Sequence, residues 1–212
     1  MQREKYDFAF TSSSLRLNEM VLVAGHILND SEVDFVNELG AGKTKTGKTV
    51  YREVTKRLSC LNRQQLELLV NGSLDAQKQL AYFAACKTYL FIRDFAVEVL
   101  REKYLVFDYM ITDGDYLSFL RRKQDLHPEI ENLTENTLKK IKQVTFKILE
   151  QARIINNVKE KEIQPQLLEP EVLKIIGKEN PEWLKIYLLS DLDIEIAAPD
   201  NEWYYQEIWS SL

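Results

Sequence analysis

Glycine and proline are scarce in this 212-residue chain, at seven and five residues. Folds made of short strands and tight turns use more of both, so the shortage favours long helices. Cysteine is scarcer still. Cys60 and Cys86 stand apart with no C-x-x-C spacing, and only His26 and His127 are present to join them as nitrogen ligands. Such a set does not make a zinc site. It points to two free thiols in a reducing compartment, so the sequence predicts no metal, no cofactor and a cytoplasmic protein. An uncharged apolar run is also missing. The opening MQREKYDFAF has no apolar signal-peptide core, and the most apolar stretch, Leu80 to Leu100, contains Lys87, Arg93, Asp94 and Glu98. A bilayer tolerates few such charges. The stretch reads as a buried helix, and no membrane partner is expected.

What is present is ordinary for a protein with a real core: 45% apolar and 29% charged residues, unlike a disordered chain. The net charge of −5 conceals an uneven distribution. Asn180 to Leu212 holds seven acids and one base, whereas the preceding 179 residues hold 27 bases against 26 acids. Local clusters therefore decide what the surface attracts.

Apolar spacing predicts an all-α fold, a multi-helix bundle. Hydroxyls in TSSSL cap a helix with Leu17, Met20, Val21, Ala24, Ile27 and Leu28 on one side. A short helix follows, ended by Gly40; then helices from about Lys48 to Leu61 and from Arg63 to Val70. The segment Asp75 to Tyr104 is apolar almost all round, as suits one long central helix. Thr112 with Asp115 forms a capping box, Thr134 caps a helix to about Ala152, and LDIEI near the carboxyl end reads as a short strand. The chain divides as an amino-terminal helical domain over 1–105 and a carboxyl-terminal one over 106–212, the latter ending in an acidic aromatic tail with Trp203 and Trp209.

Gly42 to Thr49, GKTKTGKT, matches the phosphate-cradling pattern G-x-x-x-x-G-K-[ST]. That loop works when a buried parallel strand precedes it and a helix follows. The preceding SEVDFVNEL has helical spacing and charges that such a strand would not bury, so the match is read as accidental. The stretch still supplies charge. Lys43, Lys45, Lys48, Arg52, Lys56 and Arg57 lie close together, opposed only by Glu53. On a helix, Lys48, Arg52 and Lys56 recur opposite Val50, Val54, Leu58 and Leu61. A helix packed on one side and basic on the other, after a short helix and a turn, suits the second helix of a helix-turn-helix. Lys139, Lys140 and Lys147 repeat the arrangement on the helix after HPEIENL, with Arg121, Arg122 and Lys123 nearby. The plain alternative at both places is a solvated helix face. Catalysis has little support: a nucleophile–base pair would need His26 or His127, and neither lies near a motif.

The run LLVNGSLDAQKQLAYFAACKTYLFIRDFAVEVLREKYL resembles the BrxA family, a small core component of the bacteriophage-exclusion (BREX) defence systems. The resemblance extends to FAFTSSSL and to FLRRKQDLHPEIENLTENTLKKIKQVTFKILEQARII, covering Phe8 to about Ile155. It implies an all-helical protein with two helix-turn-helix units, double-stranded DNA and other proteins of the system as partners, and no catalytic activity. On that reading Lys43, Lys45, Lys48, Arg52, Lys56, Lys139, Lys140 and Lys147 would meet phosphates. The competing expectations are a protein–protein scaffold with incidental DNA contact, and a nucleotide switch at Gly42 to Thr49.

Overall fold

Several helix starts are fixed by local side-chain chemistry. In the computed structural model, which describes residues 5–197, the Ser73 hydroxyl accepts from the Ala76 N–H at 3.1 Å and Thr134 from Thr137 at 3.2 Å. Thr112 and Asp115 exchange reciprocal bonds, Asp115 N–H to the Thr112 hydroxyl at 3.1 Å and Thr112 N–H to the Asp115 carboxylate at 2.7 Å. Asn62 and Gln65 do the same. Each cap contributes about 1 kcal/mol by satisfying amides that have no partner within the helix.

The elements run α1 (Leu17–Leu28), a π-helical turn (Phe35–Leu39), α2 (Thr44–Leu58), α3 (Arg63–Asn71), α4 (Leu74–Thr88), α5 (Leu90–Phe95), a second π-helical turn (Ala96–Arg101) and α6 (Glu102–Leu105). Then follow α7 (Asp113–Gln124), α8 (Pro128–Glu131), α9 (Glu135–Gln151), α10 (Pro170–Glu179), a 3-10 segment (Pro181–Tyr187) and α11 (Asp191–Ala197). A 3-10 turn, Ala9–Ser12, precedes α1. The fold is all-α. Extended pairing among the described residues is limited to the bridges Met110 with Glu162 and Ile155 with Ile163.

Three local expectations are corrected. The LDIEI stretch is not a strand but the helix α11. Its alternation of Leu192, Ile194 and Ile196 is overridden by a reciprocal cap, in which Ser190 Oγ accepts from the Asp193 N–H at 3.1 Å and the Asp193 carboxylate accepts from the Ser190 N–H at 3.2 Å. No hydroxyl caps α1. Arg16 occupies the N-cap in a left-handed conformation, and Ser13 Oγ accepts from Arg16 Nε instead. The long central helix is also interrupted. Tyr89 is extended, with φ −124° and ψ 91°, separating α4 from α5.

That interruption lies at the centre of the core. Tyr82, Phe83, Tyr89, Phe91, Ile92 and Phe95 are all buried. Phe95 meets Phe119, Tyr116 and Phe146 at ring distances of 5.2, 5.6 and 5.8 Å. These edge-to-face arrangements suit the aromatic quadrupole. α1 packs on α2 and α3 and also touches α4, so one side of the central helix carries the first helical group. α9 reaches α4 and the Ala9–Ser12 turn on another.

Candidate nucleic-acid interface

Helix α2 begins at Thr44, four residues before the position that spacing suggested, so Thr44 to Thr49 of GKTKTGKT are helical and not a loop. The element before Gly42 is the π-helical turn, capped by Asp34, whose carboxylate accepts from the Val36 and Asn37 amides. Gly47 has a packing reason. A Cβ there would stand 1.7 Å from the Phe35 carbonyl oxygen, so only glycine lets α2 lie this close to the turn. Gly42, at φ +83°, makes the bend between them.

The α2 amino end is charged against its own dipole. Lys43 is the N-cap and makes no side-chain cap bond, and no acid occupies the first turn. Lys43, Lys45, Lys48 and Arg52 are exposed, and none of their side-chain charges has a hydrogen-bond or ion-pair partner among the described residues. Cations near a helix start add to the positive end of the macrodipole. Free amides, an uncompensated dipole and the neighbouring Lys43, Lys45 and Lys48 therefore favour an anion at the helix start, and Arg52 follows about two turns along α2. The only carboxylate in α2, Glu53, is buried.

The other two cations have different duties. Lys56 pairs with Asp7 and lies 5.1 Å from the Tyr89 ring centre. Arg57 is fully buried. It donates to the carbonyls of Ser14 at 2.7 Å, Ser13 at 3.0 Å and Leu15 at 3.1 Å, and to Glu53 at 3.0 Å. Tyr89, the extended residue between α4 and α5, donates to the same Glu53 carboxylate. Burial pushes the Tyr89 phenol up, and the Glu53 charge adds to it. In sequence Arg57 belongs to the basic cluster; its place within the stripe of Val50, Val54 and Leu58 points to burial but names none of these partners.

In the second basic group, Lys139 and Lys140 are exposed and have no partner among the described residues, while Lys147 pairs with Glu150. Arg121 and Arg122 are exposed at the α7 end, where they suit the dipole. Lys123, expected on the same surface, is buried, and pairs with Asp94 at 2.9 Å and with Glu98. Burial works against the Asp94 charge, but bonds from Tyr6, Lys123 and Arg93 outweigh it and hold the carboxyl below its usual range. α9 also differs from α2 at its start, where Thr134 caps it and Glu135 occupies its first turn. The positive charge at the α2 start is therefore less compensated than that at the α9 start.

The segment before α1 joins the two groups. Asp7 holds Lys56 of α2, and the adjacent Tyr6 N–H donates to Glu129 of α8 at 2.6 Å. Leu15 repeats the link: its N–H donates to Gln151 of α9 at 2.8 Å, and its carbonyl accepts from Arg57. The carboxyl-terminal ends of α2 and α9 thus converge on one short stretch.

A family model described as BrxA matches residues 4–180. The chain belongs to the BrxA family. Two BrxA relatives, each named "BREX protein BrxA", come from Bacillus cereus (strain H3081.97) and Escherichia coli O9:H4 (strain HS). The first is 28% identical over 130 residues, 61% of this chain. That match spans 65% of the Bacillus cereus relative's length, just under two thirds. The second is 23% identical over 147 residues, 68% of this chain and 69% of the relative. The fold is similar to the crystal structure of an uncharacterized protein from Magnetospirillum magneticum. The TM-score is 0.74 at 18% identity, over 87% of this chain and 98% of that one. No helix among the described residues is long and apolar enough to cross a membrane.

Proposed function

We propose that this BrxA-family chain is a non-catalytic, cytoplasmic subunit of a BREX phage-defence system, working with other proteins of that system and binding double-stranded DNA through phosphate contacts. The reading rests on the first half of α2, where Lys43, Lys45 and Lys48 stand exposed and unpaired at an uncapped helix start and Arg52, also exposed and unpaired, follows about two turns on. The π-helical turn, the bend at Gly42 and α2 would act as a helix-turn-helix, and α7, α8 and α9 as a second unit contributing Lys139 and Lys140. Lys56 and Lys147 contribute less, since each already holds a carboxylate.

Fluorescence anisotropy on two unrelated duplexes across a salt series tests this. Each lost phosphate contact lowers the slope of log affinity against log salt by about 0.9. Replacing Lys43, Lys45, Lys48 and Arg52 by glutamine should lower it by up to about 3.6, similarly on both duplexes because phosphates carry no sequence information. The same change at Lys139, Lys140 and Lys147 should remove less. A folded α2 variant with an unaltered slope would place the DNA surface elsewhere.

The scaffold reading has one observation of its own. Val106, Phe107 and Met110 are exposed at 71%, 80% and 49%, with Phe107 in a left-handed conformation at φ 62°. Association through that loop would show little salt dependence, which separates it from phosphate binding.

A further inference from the structure

Helix α10 has one face packed into the fold and a neighbouring face turned to a groove. On the packed side, Val172, Ile176 and Gly177 are buried, and the Ala197 carbonyl oxygen lies 3.8 Å from where a Cβ on Gly177 would stand. Ala197 ends α11, so the chain leaves the described fold beside α10. The other side forms one wall of an open groove of 610 Å³ facing α3. Half-buried Leu68 and Ile175 supply its apolar floor, and Lys174 and Lys178 stand on its rim. Both lysines are exposed and have no hydrogen-bond or ion-pair partner among the described residues.

Two acids also line the groove. Glu67 is taken by Arg63 at 2.9 Å, and Glu171 sits in the first turn of α10, where the helix dipole favours it. Lys174 and Lys178, at the i and i+4 positions, therefore leave the rim open to an anionic partner, and Lys178 adjoins the glycine beside which the chain emerges. The floor requires apolar side chains in the same partner.

Residues 198–212 of this chain combine those properties in sequence. They contain Asp200, Glu202 and Glu207 with no Lys or Arg, together with Trp203, Tyr204, Tyr205, Ile208 and Trp209. Fifteen residues reach about 50 Å when extended, enough to cover the groove from Gly177. We propose that segment 198–212 docks in the groove between α3 and α10, with aromatic side chains over Leu68 and Ile175 and carboxylates on Lys174 and Lys178. Tethering helps, because a short linker holds a segment at an effective concentration of roughly millimolar, so weak contacts suffice.

Hydrogen–deuterium exchange on the full chain tests the proposal. Amides of 198–212 should exchange more slowly than in the free peptide of the same sequence, and the protection should fall at high salt. Lys174→Glu with Lys178→Glu should abolish it while exchange across α4 stays unchanged, which confirms the fold. Adding Glu202→Lys and Glu207→Lys to that variant should restore protection, since the charges are then exchanged across the same contact. Protection independent of protein concentration marks docking within one chain; protection that grows with concentration would assign the groove to a second copy and overturn the proposal. So would a tail that exchanges like the free peptide, or protection that survives the charge reversal.

Discussion

Replacing Arg57 by Met keeps much of the side-chain volume and removes the guanidinium. The side chain is fully buried, so water cannot take over its bonds. Three carbonyls, of Ser13, Ser14 and Leu15, lose a donor, and Glu53 is left with Tyr89 alone. An orphaned buried polar group costs about 1–3 kcal/mol, and removing one partner of a buried pair costs about 3–5 kcal/mol. These figures overlap, because the same guanidinium serves both, so the expected loss is about 3–5 kcal/mol in total. For a chain of this size that corresponds to a fall in Tm of roughly 6–20 °C. Urea unfolding followed by circular dichroism measures it. Adding Glu53→Gln should recover part of the loss, because no buried charge is then stranded, with a coupling of about 0.5–3 kcal/mol. Arg52→Gln, five residues away and exposed, should stay within about 0.5 kcal/mol of the parent. A loss below about 1 kcal/mol at Arg57, or strict additivity with Glu53, would refute the account of this network.

Phe95→Ala should cost about 3–5 kcal/mol, since the ring is fully buried against three others; an unchanged thermal melt would show that α5 is not central. Gly47→Ala must push α2 away from the Phe35 carbonyl and should cost about 1–3 kcal/mol, measured by denaturant titration. A neutral result there would mean the close approach is not real. Bonds from Lys161 and Lys142 hold the Asp113 carboxyl down to about 2. The unfolded chain binds that proton first, so the contribution is complete above roughly pH 4 and is lost as pH falls towards about 2. The Tm difference between the parent and Asp113→Asn should therefore be constant near neutrality and narrow below about pH 4. A difference unchanged down to pH 2 would contradict the pairing.

The sequence by itself determined the all-α fold, the caps at Thr112 and Thr134 and the apolar helix faces that form the core. Few breakers, apolar residues at helical spacing and hydroxyls at Thr112 and Thr134 act within a few residues of chain, so a linear reading detects them. The runs carrying the BrxA resemblance were legible for the same reason, and they led to the family. Two local errors had local causes: period-two alternation in LDIEI competed with the Ser190–Asp193 cap, and TSSSL offered hydroxyls that Arg16 displaced as N-cap. Tertiary structure alone decided which charges are available to a partner. Spacing placed Lys43, Lys45, Lys48, Arg52, Lys56 and Arg57 in one cluster, yet Asp7 claims Lys56 and the Ser13–Leu15 carbonyls claim Arg57. Lys123 was likewise counted as surface and is held by Asp94 and Glu98. Tyr89, where the central helix is interrupted, likewise bonds a Glu53 that is 36 residues away in sequence. A charge carries no mark in sequence of whether a distant carboxylate or carbonyl will reach it. Burial and pairing depend on where remote segments pack, and only the folded chain brings those segments together.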